Sequence, residues 1–180
     1  MAIDSVHDEI RSLIKDKALN LGCGNWLEEG MINCDAYDDH ADMKMDCREL
    51  AFPDESIDLI HNSNVIEHFD PKEADKMLQE WKRVLKVGGY VVISLPDIEM
   101  IIRVMSGNIG IHGDYDDACM HMFFGRSWDN GMGHKWGYTR LSLIRKLEMN
   151  GFKVRKLYRG YPVRPTPNFT VFAEKVDAVG

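Results

Sequence analysis

Ala18-Leu19-Asn20-Leu21-Gly22-Cys23-Gly24-Asn25-Trp26 is a short apolar run that breaks into a glycine turn, and the next apolar segment ends on Asp35. Glycines at 22 and 24 let the backbone turn sharply off a strand end and approach a ligand closely, because no Cβ obstructs the dihedrals or the contact. An acid at the end of the following strand can accept hydrogen bonds from ribose hydroxyls. A Gly-x-Gly alone is weak, so the spacing has to say which nucleoside it suits. A dinucleotide fingerprint needs a third glycine and an acid roughly 20 residues on. Here Trp26 takes the third position and Asp35 comes too soon, which disfavours NAD.

Outward from this turn, strand and helix patterns alternate. Ile10, Leu13 and Ile14 recur at helical spacing between Asp4 and Lys17, with Asp4 or Ser5 as the N-cap. Short strands are expected at 19–22, 31–35 and 42–46, and a better one at 57–62 after the turn residues Pro53-Asp54-Glu55-Ser56. The gaps after Gly24 and Asp35 hold hardly more than one helical turn, so the early crossovers are clipped. From Pro71 to Lys86, apolar residues including Ala74, Met77, Leu78 and Trp81 recur every three or four positions, with Gly88-Gly89 as the stop. Residues 90–95 form a continuous apolar strand of the kind buried on both faces. Asp97 caps a helix reaching about Met105, and Thr139 caps another that ends at Asn150-Gly151. Between them, residues 107–138 lose periodicity and gather Gly, Asp, His, Met and aromatics. Strands at 152–158 and 169–176, joined by a proline-punctuated connection, close the pattern. Strands alternating with helices imply a parallel, right-handed βαβ sheet closed by a hairpin-like pair.

Composition narrows the partners. A length of 180 residues suits one domain, and 44% hydrophobic with 28% charged content is that of an ordinary globule. The net charge of −7 repels phosphate backbones, so a nucleic-acid partner is not expected. Cys23, Cys34, Cys47 and Cys119 show neither a Cys-x-x-Cys pair nor metal-finger spacing, which suggests a reducing compartment. The start Met1-Ala2-Ile3-Asp4-Ser5 lacks a basic region and no apolar run is long enough to span a bilayer. The expectation is a cytoplasmic protein with no membrane partner.

The order of motifs carries more than any one of them. Leu19-Asn20-Leu21-Gly22-Cys23-Gly24 is followed by Asp35, Asp46, residues 50–58 (LAFPDESID), Glu67-His68-Phe69 and Trp81-Lys82-Arg83-Val84-Leu85-Lys86-Val87-Gly88-Gly89. This series resembles the class I S-adenosylmethionine-dependent methyltransferases, in particular their small type-11-like branch, closely over 18–96 and in outline over 152–175. The resemblance implies one Rossmann-like α/β domain. Its sheet would be mostly parallel and seven-stranded, with an antiparallel last strand and shortened early crossover helices. A leading helix would occupy 1–17, the cofactor-binding half 18–96, a lid or acceptor-binding insertion 107–138, and a closing helix and strands 139–176.

It also implies roles for single residues. The cofactor would be S-adenosyl-L-methionine, with S-adenosyl-L-homocysteine as product. Asn20 and the Gly22-Cys23-Gly24 turn would pass under its methionine and ribose parts, Asp35 with Ala36 would take the ribose, Asp46 the adenine amino group, and the backbone at Cys47 would sit beside the ring. Asn62 and Ser63 would face the sulfonium. Two departures stand out: the family has an acid where this chain has Asn20, and a glycine where it has Trp26, here expected to pack in place of the missing helix.

A hydroxyl acceptor needs a base, and histidine titrates in the right range. His68 is the first candidate; His121 and His134 lie in the aperiodic segment among Tyr115, Phe123, Phe124, Trp128 and Trp136. That segment reads as an acceptor pocket or as cover for a sheet edge. Two histidines and the acids Asp114, Asp116, Asp117 and Asp129 show no recognised metal-ligand spacing, so no metal is expected. Met122-Phe123-Phe124-Gly125 followed by a histidine is similar to small relatives associated with surface-sugar biosynthesis, implying a small acceptor with a sugar or polysaccharide-precursor hydroxyl. The alternatives are a non-catalytic S-adenosylmethionine-binding module that senses or scaffolds, and a methyltransferase acting on RNA or protein. The clipped region after Asp35 leaves a homodimer open.

Overall fold

The computed structural model describes residues 3–107, 116–126, 133–161 and 164–177. Helix α1 (Ile3–Ser12) leads into β1 (Ala18–Leu21), β2 (Ile32–Asp35), β3 (Met43–Lys44) and β4 (Ile57–Ser63). After a 3-10 turn at Ile66–His68 come α2 (Pro71–Val84), β5 (Leu85–Pro96), α3 (Ile98–Met105), α4 (Asp116–Phe124), α5 (Arg140–Met149), β6 (Phe152–Tyr161) and β7 (Arg164–Lys175). The seven strands form one sheet in the order β3-β2-β1-β4-β5-β7-β6. Strands β1 to β5 pair in parallel, whereas β7 runs antiparallel to both β5 and β6. The expected seven-stranded, mostly parallel α/β sheet is therefore the one observed. Among the described residues no helix is long and apolar enough to cross a membrane.

Burial follows the sheet order. Every residue of β1 is buried, as a central parallel strand covered on both faces requires. Ala74, Met77, Leu78 and Trp81 of α2 pack with Leu143 and Leu147 of α5 against Leu19, Leu21, Ile60, Val91 and Ile93. Val6 and Ile10 of α1 cover Ala18, Leu59, Val92 and Phe172 in a second cluster. Asp70 caps α2 by accepting from Lys72 N and Glu73 N at 2.8 and 2.9 Å, and Glu73 answers from the other side, so a capping box starts the helix beside Pro71. Asp58 Oδ2 accepts from Asp16 N and Lys17 N at 2.6 and 2.9 Å while Lys86 sits 2.8 Å from Oδ1, which fixes the chain as it enters β1.

The structure corrects several expected boundaries. Helix α1 already includes Ile3, so Asp4 and Ser5 lie inside it rather than at its cap. Gly88-Gly89 does not stop α2: the helix ends at Val84 with Leu85 as its C-cap, and the glycines lie within β5. There, between the pairs Ile57–Leu85 and Leu59–Tyr90, they take up an irregularity in the β4–β5 register. A Cβ on Gly89 would come within 2.8 Å of Lys86 O and 3.0 Å of Asp58 O. Most of the proline-punctuated connection is strand, since β6 runs to Tyr161 and β7 begins at Arg164. The aperiodic segment contains α4, whose apolar residues do not gather on one face and so left no helical pattern to read.

Trp81 ties α2 to the segment after β3: it is completely buried and its indole donates to Cys47 O at 2.8 Å. Trp81→Phe leaves that carbonyl without its donor, and we expect a loss of about 1–3 kcal/mol in unfolding free energy. Denaturant titration of both proteins measures it; equal midpoints would remove the bond from the account.

Candidate active site

The glycine turn is shaped from both sides. Gly22 N and Cys23 N both donate to Cys34 O, at 2.8 and 3.1 Å, so the chain leaving β1 folds over the end of β2. Gly22 has a φ of +69°, and a Cβ there would lie 2.3 Å from Val65 Cγ2. Glycine is demanded by both dihedral and contact. Gly24, at φ +46°, has nothing within 4 Å of its Cβ position, so this side of the turn opens into space that a ligand can take. Its N–H donates to Asp35 Oδ2 at 3.0 Å, while Asp35 Oδ1 accepts from Tyr37 N and Asp38 N at 2.8 and 3.0 Å. A carboxylate oxygen takes two hydrogen bonds, so Oδ2 retains an acceptor position for a hydroxyl. The cradle thus fits a nucleoside that presents a ribose to Asp35.

Asn20 explains its own departure from an acid. Its amide donates to Trp26 O at 2.8 Å and Asn33 Oδ1 at 2.9 Å, bonds that a carboxylate could not make. Trp26 is 62% exposed and lines the cavity described below, so the expected packing role is not what the structure gives it. Ala36 is exposed next to Asp35. Asp46 is engaged by the Arg48 guanidinium, with Nη2 2.6 Å from Oδ2 and Nε 3.0 Å from Oδ1, and that bonding holds its carboxyl below the usual range. Cys47 is buried, with its thiol 3.5 Å from Met77 Sδ. Asn62 has no exposed surface; its amide donates to Leu21 O at 3.1 Å and ties β4 to β1. Ser63, one residue on, does reach the cavity wall.

A cavity of about 840 Å³ lies outside the carboxyl ends of β1 and β4, where open α/β sheets bind ligands. It brings Asn20, Gly22, Cys23 and Ser63 together with all three candidate histidines, His68, His121 and His134. Gly24, Asp35, Ala36, Asp46, Cys47 and Asn62 are not part of its wall. The histidines come from three elements: the 3-10 turn, α4, and the segment returning toward α5. Lys135 N and Trp136 N donate to Glu67 O at 2.9 and 3.1 Å, and His134 N donates to Phe124 O at 2.9 Å. These bonds deliver His134 to His68, with ring centroids 4.9 Å apart and planes crossed at 79°.

Burial dominates the electrostatics here. It lowers His68, against the carbonyls of Gly133 and Asn64, which favour the charged ring. His134 is pushed down to about 4, first by burial and then by the neighbouring His68. Both rings are therefore neutral at pH 7 and can accept a proton. The Cys23 thiol is pushed up to about 11 by burial and the Asp35 charge, so it is no nucleophile at neutral pH. Glu67, 2% exposed, is pushed up to about 8 by burial. Sequence reasoning missed Glu67 as a site residue although it stands beside His68 in the motif, and it missed His61, Asn64, Arg126 and Asn168 of the cavity wall, which belong to no pattern. Of the residues that the sequence places around His121 and His134, Asp114, Tyr115, Trp128 and Asp129 lie outside the described residues.

Residues 19–93 match the family model described as a methyltransferase domain of type 11. Among solved structures, an S-adenosylmethionine-dependent methyltransferase from Methanosarcina mazei superposes with a TM-score of 0.66 at 16% identity, covering 94% of this chain and 98% of its own. One from Archaeoglobus fulgidus gives 0.62 at 19% identity, covering 97% and 95%. A structure from Haloferax volcanii, a complex between the Trm112 methyltransferase activator and a methyltransferase, gives 0.61 at 12% identity, covering 96% and 89%. No curated protein matches the chain. The matched stretch, residues 19–93, is similar to the type-11 methyltransferase domain, and the solved structures share the fold of the whole chain.

His61 on β4 supplies a test of the cavity floor. It is 6% exposed, its Nδ1 has no partner, and burial, helped by His7, lowers it from 6.5 to about 4. The unfolded chain takes up this proton first, so the contribution is complete above pH 6.5 and is lost as pH falls toward 4. The loss is on the order of 3 kcal/mol. His68 and His134 add in the same direction, so His61→Leu should flatten the fall in unfolding free energy over this window without abolishing it. Parallel slopes for the two proteins would mean that His61 is hydrated.

Proposed function

We propose that this methyltransferase domain moves the methyl group of S-adenosylmethionine to a hydroxyl of a small, polar acceptor, with a sugar or polysaccharide precursor as the acceptor class. The observation that carries the proposal is the single cavity shared by the glycine turn and the three histidines. A volume of about 840 Å³ is in the range that suits small molecules. Its wall mixes imidazoles with Asn64, Asn168 and Arg126, groups that bond to hydroxyls better than to an apolar ring. The net charge of −7 speaks against an RNA acceptor.

The chemistry asks mainly for alignment. An acceptor oxygen forms its bond to the methyl carbon as the carbon–sulfur bond breaks in line behind it, and the electron pair of that bond neutralises the sulfonium. Holding the two partners together in a water-poor cavity supplies several kcal/mol of the barrier reduction. The remaining task is the hydroxyl proton. His68, neutral and with Nδ1 3.2 Å from Gly133 O, keeps Nε2 to receive it. In this reading the turn at 22–24 and Asp35 hold the cofactor, Ser63 borders the reacting atoms, and His134 and His121 complete the acceptor wall.

Calorimetric titration with S-adenosylmethionine, S-adenosylhomocysteine and NAD tests the cofactor, with selective binding of the two sulfur nucleosides as the expected result. Absence of both would leave the fold alone standing. Asp35→Ala should weaken cofactor binding by about 1–3 kcal/mol, the value of charge-assisted hydrogen bonds. Unchanged affinity in a folded variant would remove Asp35 from the site. His68→Ala should lower turnover on an acceptor found by screening hydroxylated sugars and sugar nucleotides, with cofactor affinity nearly intact; full turnover would reject its role.

A further inference from the structure

Glu67 has no place in the methyl-transfer scheme, yet it is the most anomalous side chain of the site. It is 2% exposed, and neither carboxylate oxygen has a hydrogen-bond partner. Such a group is costly to bury unless something cationic or protic meets it. What faces it is His134, with Nε2 4.0 Å from Oε1, and behind that His68. One ligand atom from each of the three residues lies within 4.8 Å of the others. The hydroxyl of Tyr138, also buried and without a hydrogen-bond partner, is pushed up first by burial and then by Glu67.

The two imidazoles are already oriented as ligands. His68 Nδ1 points to Gly133 O at 3.2 Å, and the carbonyls of Phe123 and Met122 favour the charged form of the His134 ring. Fixing one ring nitrogen on a backbone carbonyl leaves the other lone pair for a cation, the arrangement that metal-bound histidines use. The third element is fixed by the same residue that offers the carboxylate, because Glu67 O holds Lys135 N and Trp136 N. We propose that Glu67, His68 and His134 form a binding site for a divalent transition-metal ion, with zinc the best match to two imidazoles and one carboxylate. Three protein ligands leave a fourth position, and His68 and His134 line the cavity into which it opens. Closing on zinc at about 2.0–2.2 Å from each ligand draws the donor atoms inward by side-chain torsion. Cations nearby oppose the site: Arg126 and Lys135 both act on His68. Lys135 is itself paired with Glu73 at 3.2 Å.

The use of the ion rests on the methyl-transfer reading; its binding does not. With an acceptor oxygen in the fourth position, zinc would lower the hydroxyl pKa as it does for bound water, and His68 would act as a ligand instead of as the base.

The test uses the purified full chain, stripped with chelator, in the absence of nucleoside. Titration with zinc chloride should give one ion per chain, and Glu67→Gln, His68→Gln and His134→Gln should each weaken it at least tenfold, whereas exposed His40→Gln should not. Circular dichroism checks folding, and a variant that fails to fold is replaced by Glu67→Asp or by the other two positions. Cobalt titration should give the visible bands of a four-coordinate nitrogen and oxygen site. No binding, equal binding by all variants, or the thiolate absorption expected if Cys23, Cys34, Cys47 or Cys119 were the ligands would overturn the proposal. Failure of the methyl-transfer reading would appear separately, in the nucleoside titration.

Discussion

A single carbonyl, that of Glu67, holds the acceptor side of this molecule against its sheet. It accepts from Lys135 N and Trp136 N, and a bridge between Asp97 and Tyr138 continues the attachment. His68 Nδ1 against Gly133 O, at 3.2 Å, adds a side-chain contact to the same segment. The Glu67 carbonyl is available because the chain leaves β4 through Asn64, at φ +54°, into a 3-10 turn instead of entering α2 directly. Val65, in the same turn, fills the space beside Gly22 and so couples the glycine turn to the turn that carries His68. One short stretch, 62–68, therefore sets both halves of the site.

The glycine turn and the acid after it were legible in the sequence because their parts are local. Gly22, Gly24 and Asp35 lie within a few residues of strand ends, and the dihedrals and contacts that demand glycine at 22 are consequences of a turn that the sequence announces. The long helix from Pro71 and the caps at Asp97 and Thr139 were readable for the same reason. Gly88-Gly89 misled because a glycine pair after a helical run is an ordinary stop, whereas here the stop came at Leu85 and the glycines serve a strand irregularity. The acceptor half was only partly legible. His68 belongs to a motif, but the meeting of His68 with His134 spans 66 positions of chain and depends on main-chain bonds that no residue pattern encodes.

Acids that share a chemical type have separate fates set by their surroundings. Asp35 is bonded by three backbone N–H groups yet keeps an acceptor position, so it can act on a ligand without moving. Asp46 is clasped by Arg48, which also reaches Glu73 at 3.0 Å and lies over the Phe69 ring. Any adenine contact by Asp46 has to share the carboxylate with that guanidinium. Asp58 is buried and fully committed to the entry of β1. Sequence position alone could rank these acids by spacing, but only their bonding says which of them has capacity left.

Glu67 stands at the opposite extreme, with its carbonyl accepting two bonds and its carboxyl unmatched. The fold tolerates the mismatch because the residue's carbonyl closes the acceptor segment, so the side chain is buried as a consequence of where the main chain must be. A carboxyl placed in that way would ordinarily be replaced by an apolar residue of similar volume at no loss of packing. With His134 facing it and His68 behind, that carboxyl has two imidazoles ready to share a cation with it. The cavity thus joins a glycine turn held open at the end of β1 to a group of side chains whose bonding is complete only with something added.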